Sequence, residues 1–312
     1  MPEAGSKIQA INSQSCKEVA FMRVSKDMDR LRANILGVVR NGGVELGKTL
    51  ERINALRGRL LSSKVIIATN DNSDDTHQQL IDFAREDHSV YVLNLDGLII
   101  THPDRVDRIA AARNAVLSRL FSLDEIEPFC VVLDLDGPCS NLDERSVTKA
   151  LCRDDVEWEG LFANPQTAFY DLYALRCPNW CECDVWKEVD AARKPLFFRR
   201  RWRRELIRQK VFGRQYHIPT SFPAIPVDSA FGGLAIYRTG ALNGLTYSSR
   251  LENGEQVCEH VSLHNRMRAR GARLFIDPGL TTIAPIEHLG ETSGSPFPMD
   301  LLAELTFRQN NH

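Results

Sequence analysis

Apolar and polar positions fall into alternating blocks over the first half of the chain. Ala33 to Val39 is a short apolar run, and Arg40-Asn41-Gly42-Gly43 follows as a turn. Val44, Leu46, Leu50, Ile53 and Leu56 then recur at helical spacing. Lys64 to Ala68 predicts a second strand, which runs into the polar loop Thr69 to Thr76. A helix is expected around His77 to Glu86, a third strand over Ser89 to Leu95, and a helix over Arg105 to Leu120 with Ile109, Ala112, Val116 and Leu120 on one face. Phe129 to Leu133 is a fourth apolar run, and Asp134 and Asp136 sit at its end. Strands alternating with helices predict an α/β fold built on a parallel, doubly wound sheet. Such sheets bind ligands outside the carboxyl ends of their strands, where these polar loops lie.

The pattern loosens afterwards. Residues 161–190 are rich in aromatics and cysteine, and residues 193–214 hold ten Lys or Arg against the single acid Glu205. Apolar order returns with Phe231 to Tyr237 (FGGLAIY), a helix from Glu259 to Arg270, and a strand-like stretch from Arg273 to Ile276. The organisation expected is an N-terminal arm over residues 1–30 and one domain in two halves, 31–150 and 151–312, with a basic insert near 191–220.

Composition narrows the function classes. The chain has 312 residues, 43% of them hydrophobic, enough for a sizeable core without staples. A net charge of −2 gives no general attraction for nucleic acid. Eight cysteines, Cys16, Cys130, Cys139, Cys152, Cys177, Cys181, Cys183 and Cys258, are dispersed as in a reducing compartment. The N-terminus lacks the apolar core of a signal peptide, and no apolar run is long enough to span a bilayer. A cytoplasmic protein is expected, soluble or peripheral on a membrane.

The chemistry centres on Asp134-Leu135-Asp136-Gly137. Two carboxylates at i and i+2, where a strand begins to turn, can both reach one ligand cluster. A hard divalent cation takes such oxygens and shares its shell with phosphate oxygens. A departing diphosphate develops charge that the cation neutralises. The spacing alone also describes a solvated acidic turn; its place at the end of a fourth strand favours a ligand site.

In this order the segments resemble glycosyltransferases of the GT-A class, most closely family two, over roughly residues 33–290. Residues 34–53 look like that family's first strand and helix, and residues 65–76 (VIIATNDNSDDT) like its second strand and acidic loop. Residues 105–117 (RVDRIAAARNAVL) are similar to the Arg-Asn helix before its metal motif, whose place DLDG takes. FGGLAIY resembles the Gly-Gly acceptor strand, and Glu259 to Leu263, with Arg266 and Gly271, the Glu-Asp helix.

The resemblance implies a GT-A, Rossmann-like fold with a mixed, mainly parallel central sheet flanked by helices. It implies a metal-dependent transfer of a hexose from a nucleotide-diphosphate sugar to a glycan or lipid-linked acceptor, in polysaccharide biosynthesis. Donor contacts fall to Arg40, Asn70, Asp74, Arg113, Asp134 and Asp136. Asn70 departs from the family acid at its position. Mn2+ or Mg2+ would rest on Asp134 and Asp136, with His288 as third ligand and His260 and His264 as other candidates. Glu259 matches the base of inverting members, and His260 replaces the usual Asp after it. A carboxylate within reach can take the acceptor's proton as it attacks. Asp171, Trp180, Gly232 and Gly233 would line the acceptor side.

Other readings stay open. A retaining mannosyltransferase of the capsule type would need no base opposite the leaving group. A nucleotidyltransferase also pairs acids on a doubly wound sheet, and Arg40 to Gly43 faintly resembles its loop. A non-catalytic binding module would have no need of Asp134, Asp136 and Glu259 together. Glu259 alone could serve as a helix N-terminal acid. Cys152, Cys177, Cys181 and Cys183 could hold zinc or be plain thiols, the spacing matching no standard ligand pattern. The basic run with Phe197, Phe198 and Leu206 is a solvated helix face, an anionic membrane contact through residues 197–206, or a contact for an acidic acceptor.

Overall fold

The computed structural model describes residues 30–309 except Glu86 and Lys194. The arm expected over residues 1–30, with Cys16, lies outside the described residues but for Arg30. The first half runs β1 (Arg32–Val39), α1 (Gly43–Arg57), β2 (Ser62–Thr69), α2 (Thr76–Ala84), β3 (Val90–Asn94), α3 (Arg105–Phe121), β4 (Phe129–Asp134) and α4 (Glu144–Leu151). The second runs β5 (Gly160–Gln166), α5 (Val185–Ala191), α6 (Arg199–Lys210), β6 (Tyr216–His217), β7 (Ile225–Pro226), β8 (Leu234–Arg238), α7 (Glu259–Ala269), β9 (Leu274–Ile283), β10 (Ser295–Pro296) and α8 (Met299–Gln309). Strands from both halves share one eight-stranded sheet, ordered β3-β2-β1-β4-β8-β5-β9-β7. β1 pairs in parallel with β2 and β4, β2 with β3, and β5 with β9; β8 is antiparallel to both its neighbours, and β7 to β9. The expected mixed, mainly parallel sheet flanked by helices is the one found.

Its central strands are apolar on both faces because helices cover both. On β1, Leu36 enters one core cluster, and Ala33, Ile35 and Val39 enter the other. On β2, Ile66 and Ala68 face the first cluster, Val65 and Ile67 the second. That two-residue alternation divides side chains between two cores, which is why these strands read as continuous apolar runs. Helices α1 and α4 lie over the second cluster with Leu46, Leu50, Ile53, Leu56 and Val147; α3 lies over the first with Ala112, Val116 and Leu120.

The chain moves from β1 outward through β2 to β3, then crosses to β4 on the other side of β1. The strand order therefore reverses between β1 and β4, where open α/β sheets form a crevice. One strand differs from its expected extent. Phe231 to Gly233 precede β8 as a turn, with φ of +67° at Gly232 and +86° at Gly233. A Cβ at Gly232 would stand 2.6 Å from the Ala163 carbonyl oxygen, and one at Gly233 2.4 Å from Pro138 Cβ. Left-handed backbone and close approach together require glycine at both.

Candidate active site

A cleft of about 760 Å³ opens at this reversal point. Val38, Val39 and Arg40 line it from the end of β1, Asn70 from β2, and Asp134 and Asp136 from β4. Arg105, Arg108 and Arg113 line it from α3, Tyr170 and Asp171 from the segment after β5, and Cys258, Glu259 and His260 from the start of α7. Trp186, Phe212, Glu287 and His288 complete the margin.

The acidic pair is built as its spacing requires. Leu135 is fully buried in the second core, while Asp134 is half-buried and Asp136 exposed on the cleft side. The Asp134 amide donates to the Gly233 carbonyl at 2.9 Å, tying this segment to the Gly-Gly turn. Burial raises the Asp134 pKa to about 7; Arg113 opposes that, and Asp136, Asp171 and Glu259 add to it.

Arg113 links the two walls. Its Nη2 donates to Asp134 Oδ1 at 3.1 Å, and its Nε to Glu259 Oε1, also at 3.1 Å. Only 6% of the Arg113 side chain and 7% of the Glu259 side chain are exposed. Burial works against the arginine's charge, but Glu259 and then Asp134 outweigh it and hold its pKa above the ordinary value. Its Cζ lies 5.1 Å from the Phe231 ring centroid and 5.8 Å from that of Tyr247. The Glu259 Oε2 faces the Cys258 thiol at 3.6 Å. Asp171 accepts from the Gly232 and Ala174 amides at 3.1 and 3.3 Å; burial raises its pKa against those bonds.

Of the residues singled out in the sequence, Arg40, Asn70, Arg113, Asp134, Asp136, Asp171, Glu259 and His288 meet at this cleft. Asp74 does not line it: its carboxylate accepts from the Gly43 and Thr76 amides, closing the loop onto α1 and α2. The amides of Asn41 and Gly42 are likewise taken, by Asn72 Oδ1 and Thr76 Oγ1. The Arg40–Gly43 turn thus spends its donors internally and offers no cradle of the nucleotidyltransferase kind. Trp180, expected on the acceptor side, is a core residue. It is 4% exposed, packs on Phe169, Tyr216 and Phe297, and donates its indole N–H to the Arg214 carbonyl. Gly232 and Gly233 stand behind the wall, with their carbonyls accepting from Thr282 and Asp134.

The expected metal triad is not assembled. Among the described residues, no three His, Cys, Asp or Glu side chains are placed to hold an ion together. His288 instead stacks on Tyr170, with centroids 5.3 Å apart and planes at 10°. His264 is spent structurally: its Nδ1 meets Ser229 Oγ at 2.8 Å and its Nε2 meets Tyr237 OH at 2.7 Å. It cannot pair with His260 on an ion. The cysteine-rich stretch forms no zinc site among the described residues; Cys181 is buried and Cys183 donates to Glu188.

Residues that sequence reading did not assign to the cleft include Arg105, Arg108, Phe212 and Trp186. Arg105, Arg108 and Arg113 do carry a signal: with Ile109 and Ala112 they follow helical spacing on the face that carries the Arg-Asn resemblance.

No family model matches the chain, and no curated protein matches it. Among solved structures, it is similar to the mannosyltransferase PcManGT from Pyrobaculum calidifontis in complex with GDP-Man and Mn2+, at 12% identity and a TM-score of 0.45 over 82% of this chain and 57% of that one. It is similar to S. aureus TarS residues 1–349 at 12% identity and a TM-score of 0.45, over 81% of this chain and 59% of that one. For mannosyl-3-phosphoglycerate synthase from Rubrobacter xylanophilus the values are 12% and 0.40, over 93% and 74%. The chain thus spans under two thirds of the first two.

Proposed function

We propose that the protein is a divalent-cation-dependent glycosyltransferase of the GT-A class. It would move a hexose from a nucleotide-diphosphate sugar to a glycan or lipid-linked acceptor. The observation that carries the reading is the pairing of Asp134 and Asp136, at the sheet's reversal point, with Glu259 across one cleft. Asp134, Asp136, Asp171 and Glu259 set four carboxylates against Arg113 at that end of the cleft. Such an excess suits a cation. Two carboxylates open to further oxygens fit Mn2+ or Mg2+ that shares its shell with a diphosphate. A bound cation there supplies charge neutralisation for the departing diphosphate.

Arg40 and Asn70 then stand where the nucleoside end of a donor would lie, and Arg105 and Arg108 at the cleft's basic margin. Glu259 is the base for the acceptor hydroxyl, and the Arg113 Nε contact keeps it aimed. Attack from that wall, with the diphosphate held at the Asp134 wall, inverts the anomeric centre. A retaining reaction is the second reading, favoured by one observation: Glu259 already faces Arg113 and the Cys258 thiol.

The basic helix α6 is read as a contact for anionic lipid beside the cleft, as a lipid-linked acceptor would need. Leu196, Phe197 and Phe198 are 82%, 75% and 84% exposed just before it. Among the described residues, no helix is long and apolar enough to cross a membrane.

The test is incubation with a panel of nucleotide sugars, beginning with GDP-mannose and UDP-GlcNAc, with and without Mn2+. Cation-dependent transfer or slow donor hydrolysis is expected, and NMR of the product gives its anomeric configuration. No turnover and no binding of any nucleotide sugar would refute the proposal. A retained anomer would remove Glu259 from the base role.

A further inference from the structure

The inner wall of the cleft holds buried polar atoms that the protein itself leaves unmatched. Among the described residues, both ring nitrogens of His260, whose side chain is 2% exposed, lack a hydrogen-bond partner, as does Arg113 Nη1. Among the described residues only four buried side-chain nitrogens or oxygens are in this condition, and three belong to this wall. Each unmade bond costs stability, more on a charged group. Their concentration at one place marks a ligand position rather than scattered imperfection. His264 gives an internal control one turn further along α7. It is equally buried, yet Ser229 and Tyr237 take both its nitrogens.

The chemistry of the unmatched groups selects what would meet them. Burial, reinforced by Arg113 and His264, drives the His260 pKa well below its ordinary value, so the ring is neutral. A neutral imidazole presents one donor and one acceptor. The ring stacks on Phe231 at 3.9 Å and stands nearly perpendicular to Tyr247, which fixes its plane. Its Nε2 is 3.7 Å from Glu259 Oε1, too far for a hydrogen bond, while Arg113 Nε reaches that same oxygen at 3.1 Å. The His260 ring and the Arg113 guanidinium thus lie side by side, both against Phe231 and Tyr247. An anion here would meet Glu259, Asp134 and Asp171 with one guanidinium already shared, so it is disfavoured. A hydroxyl is uncharged, donates and accepts, and suits a neutral ring beside an arginine N–H.

We propose that His260 and the Arg113 Nη1 form a hydroxyl-binding subsite at the inner end of the cleft, taking ring hydroxyls of a sugar. This rests on reading the cleft as a sugar site. The hydroxyls could belong to the transferred sugar or to the acceptor, and His260 would act as a specificity residue beside Glu259 in either case.

His260→Phe tests it, since phenylalanine keeps an aromatic ring against Phe231 and removes both nitrogens. The ring is somewhat larger at a buried position, so the variant's fold is checked by its Tm before binding is read. Calorimetry with Mn2+ compares GDP with GDP-mannose and UDP with UDP-GlcNAc. Ligand-observed NMR measures methyl mannoside and methyl N-acetylglucosaminide alone. If the transferred sugar uses the subsite, the affinity gap between sugar nucleotide and nucleotide shrinks about tenfold, the worth of roughly one hydrogen bond. If the acceptor uses it, that gap holds and glycoside binding falls about tenfold instead. In the wild type, the His260 ring 15N signals should move when the sugar is added. Wild-type binding of every probe by the variant, with unmoved ring signals, overturns the subsite and leaves ordered water as its occupant; so does a wild type that binds no sugar. A wild type that binds glycosides through His260 but no nucleotide would refute the transferase reading and keep the subsite.

Discussion

Asp134, Asp136 and Glu259 carry different burdens, and single substitutions separate them. Asp136 is exposed, and among the described residues it makes no hydrogen bond or ion pair that its removal would break, so Asp136→Ala should fold normally. Calorimetry with Mn2+ should then show donor affinity falling to its cation-free level. That loss should exceed the roughly 10–100-fold that removing a supporting residue costs a metal site. Unchanged affinity would remove the cation from the Asp134 wall. Glu259→Gln keeps the shape and an acceptor oxygen for Arg113 but cannot take a proton. Donor binding should survive, and kcat should fall by about 10²–10⁴; a fully active variant would refute the base role. Arg113→Met is a stability experiment instead. It leaves a buried carboxylate without its partner, a change worth about 3–5 kcal/mol. The Tm should drop by several degrees, read by calorimetry.

At the scale of elements, α6 sets a packed face against a charged one. Its inner face packs through Leu206 and Ile207 against the core, while Arg200, Arg201 and Arg204 stand exposed. Among the described residues these three make no ion pair, whereas Arg203 binds Asp190 and Arg208 binds Glu205. Changing the three to Ser should weaken binding to phosphatidylserine-containing vesicles by on the order of a hundredfold at low salt, at about 1 kcal/mol per arginine. Equal binding would return α6 to a solvated face. Much of the first half of the fold is legible in the sequence. β1 to β4 and their helices could be read because parallel strands between helix layers are continuously apolar and the helices keep a strict stripe. β5 was missed because Asn164 and Pro165 interrupt its pattern and its pairing with β9 comes from more than a hundred residues away. β9 looked shorter than it is because Pro278 and Gly279 resemble a break. Trp180 misled for a related reason. An aromatic among polar residues reads as a sugar platform until Phe169, Tyr216 and Phe297, remote in sequence, are seen to enclose it. The Arg113–Glu259 bond spans 146 residues, so no local pattern could announce it.

For the whole molecule, the burial of Asp134, with further acids beside it, makes pH a global variable. The Asp134 pKa stands at about 7 in the folded chain, against about 4 for an unfolded aspartate. Between those values the folded chain holds a proton that the unfolded chain has lost. Stability from this group is therefore greatest at low pH and declines as pH rises through that window. A divalent cation requires the deprotonated carboxylate. Mn2+-dependent nucleotide affinity should accordingly climb from pH 5.5 to about 7 and level off above. A calorimetric titration across that range checks it, and a flat profile would place the cation elsewhere.

The guanidinium of Arg113 touches both walls, and this has a thermodynamic consequence. Whatever draws Asp134 away from it leaves Arg113 more fully to Glu259, so loading one wall alters the free energy of loading the other. Linkage makes that influence mutual and equal in size. A donor with its cation should change acceptor affinity by the factor by which the acceptor changes donor affinity. One buried side chain would thereby tie the occupancy of one substrate site to that of the other.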